Sequence, residues 1–266
     1  MGEHRIKHMI DTVREQNRPG LIVFVTAGFP DMDAPLALVP ALVAAGADAV
    51  ELGIPFSDPL AEGPVIQESS FHPLKNGTNL DECLKTAGVL RNRIPNTPLI
   101  LMGYYNPIYS YGLVSFADRC QYSGVDGLII VDLPGFESAP MAAECKLRNI
   151  SMIPLLAPTS TDVSIKDSCT GASGFVYCIS VTGVTGVRDQ VSGRSFELLD
   201  RVKEHTDLPL AVGFGISNRT HVEEVGNNAD AAVVGSALVR VMLDSPREEL
   251  VERASQFVSR LAGGQP

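Results

Sequence analysis

An alternation runs the whole length of the chain and leaves few folds open to it. Eight short apolar runs, most rich in β-branched residues and ending in Gly or a small polar cluster, fall at 21–26, 49–53, 99–103, 127–132, 151–155, 174–180, 209–213 and 231–235. Segments with helical periodicity follow at 34–45, 80–89, 114–123, 138–147, 163–168, 195–204, 219–225 and 247–261. Most of the short runs are continuously apolar, as strands of a parallel sheet are when both faces are covered. Eight strands, each followed by a helix, close into a (β/α)₈ barrel. The fold predicted is therefore α/β, a single barrel domain over residues 1–266. Ahead of the first strand, Ile6, Met9, Ile10 and Val13 recur at helical spacing before Pro19-Gly20 breaks the pattern. This extra N-terminal helix is expected to plug the barrel floor.

Composition supports one core and excludes several functions. With 266 residues, 45% of them hydrophobic and 20% charged, the chain has the material for a single large core. No Pro/Gly/Ser-rich spacer or block of like charge divides it. The formal charge of −10, with no clustering of Lys and Arg, gives no footprint for nucleic acid. No apolar run reaches the ~20 residues of a membrane span, and residues 1–18 lack the features of a secretory signal. A cytoplasmic protein is expected. The five cysteines are odd in number and far apart, which disfavours a disulfide framework. His4 and His8 sit one helical turn apart with no third ligand near in sequence, so no metal site is expected.

In such a barrel the chemistry lies at the C-terminal ends of the strands. In Asp48-Ala-Val-Glu-Leu-Gly53 the two-residue period puts Val50 and Leu52 on one face and Ala49, Glu51 and Gly53 on the other. Glu51 then points into the barrel near its mouth, where ionisation is costly and its pKa should rise. Such a carboxyl suits general acid/base work; the alternative is a structural ion pair. The loop behind it, Ile54-Pro-Phe-Ser-Asp-Pro-Leu-Ala-Glu-Gly-Pro64, holds two more acids, Asp58 and Glu62, in a proline-restricted backbone. Residue type alone leaves open whether these cap a turn and meet solvent or belong to a site. Small residues follow strands six, seven and eight: Thr182-Gly-Val-Thr-Gly186, Gly213-Phe-Gly-Ile-Ser217 and Val234-Gly-Ser-Ala237. They let backbone N–H groups approach an anion, and Ser236 is placed to start a short helix with its positive end toward it. Together they point to a phosphate site, with the first stretch also suited to a mobile lid.

The segment Glu51-Leu-Gly-Ile-Pro-Phe-Ser-Asp-Pro-Leu-Ala-Glu-Gly-Pro64 resembles the signature of tryptophan synthase alpha subunits. So, in order, do Phe24-Val-Thr-Ala-Gly28, Tyr104-Tyr-Asn-Pro107, Val131-Asp-Leu-Pro134, Ser180-Val-Thr-Gly-Val-Thr-Gly186, Val212-Gly-Phe-Gly-Ile-Ser217 and Val234-Gly-Ser236. The resemblance implies a retro-aldol cleavage of indole-3-glycerol phosphate to indole and D-glyceraldehyde 3-phosphate, in tryptophan biosynthesis. It implies that Glu51 is the general acid/base and that Phe24, Met102 and Tyr177 line the indole pocket, although strand aromatics more often serve ordinary packing. It assigns Thr185, Gly186, Phe214, Gly215, Gly235 and Ser236 to the phosphate loops. No cofactor is implied in this chain; pyridoxal phosphate is expected only in the partner, a tryptophan synthase beta subunit that takes the indole. The loop after Glu51, the 104–107 region and the lid near 181–186 are implied to face that partner or gate the site.

One residue departs from the family. Its second catalytic carboxylate is an Asp in Leu-Ala-Asp-Gly-Pro, and here Glu62 stands in that place. The implied role is to accept the indole N–H and stabilise positive charge developing on the ring. The added methylene displaces the carboxylate by ~1 Å or demands another rotamer, a shift that can cost ~10²-fold in rate. Two alternatives stay open: a stand-alone lyase that releases indole, and a weakly active or non-catalytic chain that activates the beta subunit.

Overall fold

The computed structural model describes residues 2–179, 193–213 and 215–264. The chain begins with α1 (Gly2–Glu15), β1 (Gly20–Thr26), α2 (Ala34–Ala44), β2 (Ala49–Gly53), α3 (Pro64–Lys75) and α4 (Leu80–Arg93). It continues with β3 (Leu99–Gly103), α5 (Tyr105–Tyr111), α6 (Leu113–Tyr122), β4 (Gly127–Ile130), a 3₁₀ turn at Gly135–Glu137 and α7 (Ala139–Leu147). The remainder is β5 (Ser151–Met152), β6 (Leu155–Leu156), α8 (Asp162–Cys169), β7 (Val176–Ile179), α9 (Gly193–Lys203), β8 (Leu210–Gly213), α10 (Arg219–Gly226), β9 (Ala231–Val234), α11 (Ser236–Leu243) and α12 (Leu250–Ala262).

The strands lie in the order β5-β4-β3-β2-β1-β9-β8-β7-β6, and the pairs at both ends of this row are parallel. The two end strands are neighbours in sequence, separated only by Ile153-Pro154. Ile153 N–H donates to Leu128 on one side and Pro154 carbonyl accepts from Tyr177 on the other. They are two halves of one stave, so the sheet closes into an eight-staved barrel, the architecture expected. The stave divides because Pro154 has no N–H for the ladder. Elsewhere the edges shift: the fourth strand ends at Ile130, the sixth stave begins at Val176, and the last helix begins at Leu250.

Alternation along each strand builds two cores. Outward residues such as Val23, Val50, Leu52, Leu101 and Val212 pack under the helices. Inward residues, among them Ile22, Ala49, Ile100, Ile129 and Val233, pack on one another and on Ile6, Met9, Ile10 and Val13 of α1. The N-terminal helix thus closes the floor with its apolar face, as its spacing suggested.

Its arginines tie it down. Asp48, Asp126 and Asp230 each stand one residue before a strand, and each accepts a backbone N–H, of Leu21, Leu99 and Leu210 respectively, at 2.8 Å. Arg18 meets Asp48 at 2.7 Å, Arg14 meets Asp230 at 2.8 Å, and Arg5 at 2.8 Å and Arg91 at 2.5 Å share Asp126. Among the described residues no helix is long and apolar enough to cross a membrane, and no three His, Cys, Asp or Glu side chains group as a metal site.

Candidate active site

Four strand positions, Phe24 of β1, Glu51 of β2, Met102 of β3 and Tyr177 of β7, build the mouth of the barrel. Glu51 sits in register with Phe24 of β1 and Ile100 of β3, which places its side chain among inward groups. It is 1% exposed, and its Oε1 finds no hydrogen-bond partner among the described residues. Burial without a compensating charge raises its pKa to about 8, as anticipated for an acid on the inner face. Tyr177 of β7 is buried close enough that Glu51 adds to the upward push on its own pKa, behind the larger effect of burial. Two strand-end glycines make room for the rings: a Cβ at Gly53 would run into the Phe24 ring, and one at Gly213 into the Tyr177 hydroxyl.

Above these groups lies a cavity of about 100 Å³, on the scale of pockets that hold one aromatic ring. Phe24, Glu51, Glu62, Met102 and Tyr177 line it. Gly215, Gly235 and Ser236 also line it, together with Gly63, Ile66 and Ile216. Eight of the site residues expected from the sequence therefore meet in one space. Thr185, Gly186 and Phe214 lie outside the described residues.

Glu62 is held, not solvated. The Tyr104 hydroxyl donates to Glu62 Oε2 in a very short hydrogen bond, and Ala61 N–H donates to the same hydroxyl at 3.1 Å. Gln67 donates its side-chain amide to the Glu62 carbonyl at 2.9 Å, and the Phe56 ring stacks on Tyr104 at 4.7 Å. Burial raises the Glu62 pKa; the Tyr104 hydrogen bond pulls the other way, and the charge of Asp132 adds to the rise. Asp58, by contrast, is exposed and accepts from the Ser57 hydroxyl at 2.5 Å, and it does not line the cavity.

α11 starts at Ser236 with Gly235 as its N-cap, and both residues line the cavity, so the unpaired N–H groups of this helix lie at its cavity end. Gly215 takes a left-handed backbone, φ +81°, that suits glycine. A larger cleft, about 390 Å³, lies on the flank between residues 130–135 and α8. Its one acid, Asp132, accepts the Tyr105 N–H at 2.6 Å, and no second titratable group faces it there. Gly63, Ile66 and Ile216 line the pocket without a sequence signal that assigns them to it, and Tyr104 enters only through its hydrogen bond to Glu62. Nothing in the 42-residue separation of Tyr104 from Glu62 announces their contact.

The description "Tryptophan synthase alpha chain" matches residues 10–263. The tryptophan synthase alpha chain of Roseiflexus castenholzii (strain DSM 13941 / HLO8) is 46% identical over 259 residues, covering 97% of this chain and 99% of that one. That of Chloroflexus aggregans (strain MD-66 / DSM 9485) is 42% identical over 258 residues, 97% of each chain. Among solved structures, a chain from Aquifex aeolicus VF5 superposes with a TM-score of 0.87 at 36% identity, covering 98% of both. A chain of tryptophan synthase from M. tuberculosis, in its aminoacrylate-bound form, does so with a TM-score of 0.87 at 30% identity, again over 98% of both. A match that spans nearly the whole sequence and carries the barrel with it leaves one assignment: this chain belongs to the tryptophan synthase alpha chain family.

Proposed function

We propose that the chain cleaves indole-3-glycerol phosphate to indole and glyceraldehyde 3-phosphate with Glu51 as its proton shuttle. The observation that carries this reading is a buried carboxyl at the mouth of the barrel, its Oε1 without a hydrogen-bond partner among the described residues, lining a ring-sized cavity together with the small residues Gly215, Gly235 and Ser236.

With its pKa at about 8, the Glu51 carboxyl is mainly protonated at neutral pH. It gives that proton to C3 of the indole, and the ring nitrogen takes up the positive charge. The carboxylate left behind accepts the proton of the adjacent side-chain hydroxyl. The O–H electrons form the aldehyde C=O, the C–C bond breaks, and its electrons restore the aromatic ring. Glu51 ends protonated, as it began. Glu62, ionised, accepts the indole N–H and favours the charged intermediate over the neutral substrate. Phe24, Met102 and Tyr177 hold the ring. The N–H groups around Gly215, Gly235 and Ser236 receive the phosphate, with Thr185, Gly186 and Phe214 assigned to the same anchor by resemblance.

In this reading the chain is the alpha subunit of a tryptophan synthase, and the beta subunit, which carries the pyridoxal phosphate, consumes the indole. The non-catalytic reading rested on Glu62 alone, and the hold of Tyr104 on that carboxylate favours the catalytic one. Indole release from indole-3-glycerol phosphate, measured with and without an added beta subunit, tests the proposal. Turnover that the partner accelerates is expected. Full turnover indifferent to the partner identifies a stand-alone lyase, and no indole under either condition refutes the catalytic role.

A further inference from the structure

His221 lies in α10, 8% exposed, and turns both ring nitrogens toward the loop that follows β8. Its Nδ1 is 3.0 Å from the Gly215 carbonyl oxygen, and its Nε2 is 3.3 Å from the side-chain nitrogen of Asn218. The helix cap settles which nitrogen bears the proton. Asn218 is the N-cap of α10, and its Oδ1 accepts the His221 backbone N–H at 2.9 Å. That contact leaves the amide nitrogen of Asn218 facing the ring, and an amide nitrogen only donates. Nε2 is therefore bare, and the ring proton sits on Nδ1. A carbonyl oxygen only accepts, so the shortest contact of Nδ1 is a hydrogen bond donated to Gly215. The other neighbours of Nδ1, the Ser217 amide at 3.4 Å and hydroxyl at 3.5 Å, are more distant.

The carbonyl so held belongs to a residue that lines the same cavity as Glu51 and Ser236. The Gly215–Ile216 peptide is trans, so its C=O and N–H point in opposite directions. Fixing the carbonyl on the α10 side turns the Ile216 N–H away from the ring. Among the described residues, no backbone acceptor takes that N–H.

We propose that His221 is a positioning residue: by gripping the Gly215 carbonyl, it sets the Ile216 N–H, beside Gly215, to receive the substrate's phosphate. This rests on reading Gly215, Gly235 and Ser236 as the phosphate cradle. The side-chain nitrogen of Asn occupies nearly the place of imidazole Nδ1, whereas that of Gln reaches the place of Nε2. In the intact enzyme, His221→Leu and His221→Gln are expected to raise KM about threefold to tenfold, the worth of one hydrogen bond, with kcat changed less than about twofold. His221→Asn should restore KM. The proposal is overturned by an unchanged KM in His221→Leu, by a loss confined to kcat, or by His221→Asn behaving like His221→Leu.

A measurement on the unaltered protein guards against variants that do not fold. The ¹⁵N shifts of the His221 ring should be those of a protonated Nδ1 and a bare Nε2; the reverse tautomer overturns the proposal. Titration with inorganic phosphate, followed by amide shifts, separates the two layers of the argument. Perturbation far from residues 215, 235 and 236 in the unaltered protein sinks the cradle reading itself. Perturbation there with the same affinity in His221→Leu sinks only the role of His221, while weaker binding in that variant supports it.

Discussion

A buried acid with an unsatisfied oxygen is a stability cost that function explains, and among the described residues Glu51 is such an acid. Its folded pKa, about 8, lies above its ordinary value of 4.5. Between those two values the folded state holds a proton that the unfolded state releases, so rising pH through that window favours unfolding. Below the window both states are protonated, and the penalty vanishes. Glu51→Gln is therefore expected to stabilise the protein at neutral pH by about 1–3 kcal/mol, even after burying an unsatisfied amide. Urea denaturation at several pH values checks this: the parent should lose stability from pH 5 to pH 8 relative to the variant. Glu62 makes a different demand, since it must stay ionised and aimed. Glu62→Ala is expected to lower kcat by about 10²-fold. Tyr104→Phe, which frees the carboxylate without removing it, should cost about tenfold, and steady-state kinetics on both variants tests the order.

Elements position these residues, and their glycines show how tightly. A Cβ at Gly213 would overlap the Tyr177 hydroxyl, and one at Gly53 the Phe24 ring. Gly213→Ala is expected to destabilise by about 1–3 kcal/mol through overpacking and to raise KM as the ring is displaced; denaturation and kinetics read the two effects separately. Much at this scale was legible from the chain. The two-residue period of Ala49–Gly53 sent Glu51 inward, and the apolar spacing of α1 sent it to the floor. Two helices were not legible. The only buried residues of α3 are Ser69, Ser70 and Pro73, so it has no apolar stripe to read; Pro64 at its start was the available signal. α5 is seven residues with three tyrosines and an internal proline, too short for a period. The grip of Tyr104 on Glu62 joins β3's exit to the loop after β2, a relation that only the side-by-side pairing of β2 and β3 creates.

At the scale of the whole molecule the barrel separates its tasks: the floor carries stability and the mouth carries chemistry. The Asp126 side chain is fully buried between Arg5 and Arg91, and its loss would strand two guanidinium groups and the Leu99 N–H. Asp126→Ala is expected to cost about 3–5 kcal/mol in denaturation while kcat of the folded fraction holds. The exposed Lys7–Asp11 pair should contribute less than about 1 kcal/mol. The mouth is where the account stands or falls, because the protonated Glu51 carboxyl begins the reaction. The most direct test is the pH dependence of kcat/KM for indole release from indole-3-glycerol phosphate, run on the parent and on Glu51→Gln. The account predicts an alkaline limb falling through a pKa near 8 in the parent. In the variant that limb should disappear, with the rate at least about 10²-fold lower. A parent profile flat from pH 6 to 10, or a variant with the parent's rate, would contradict it.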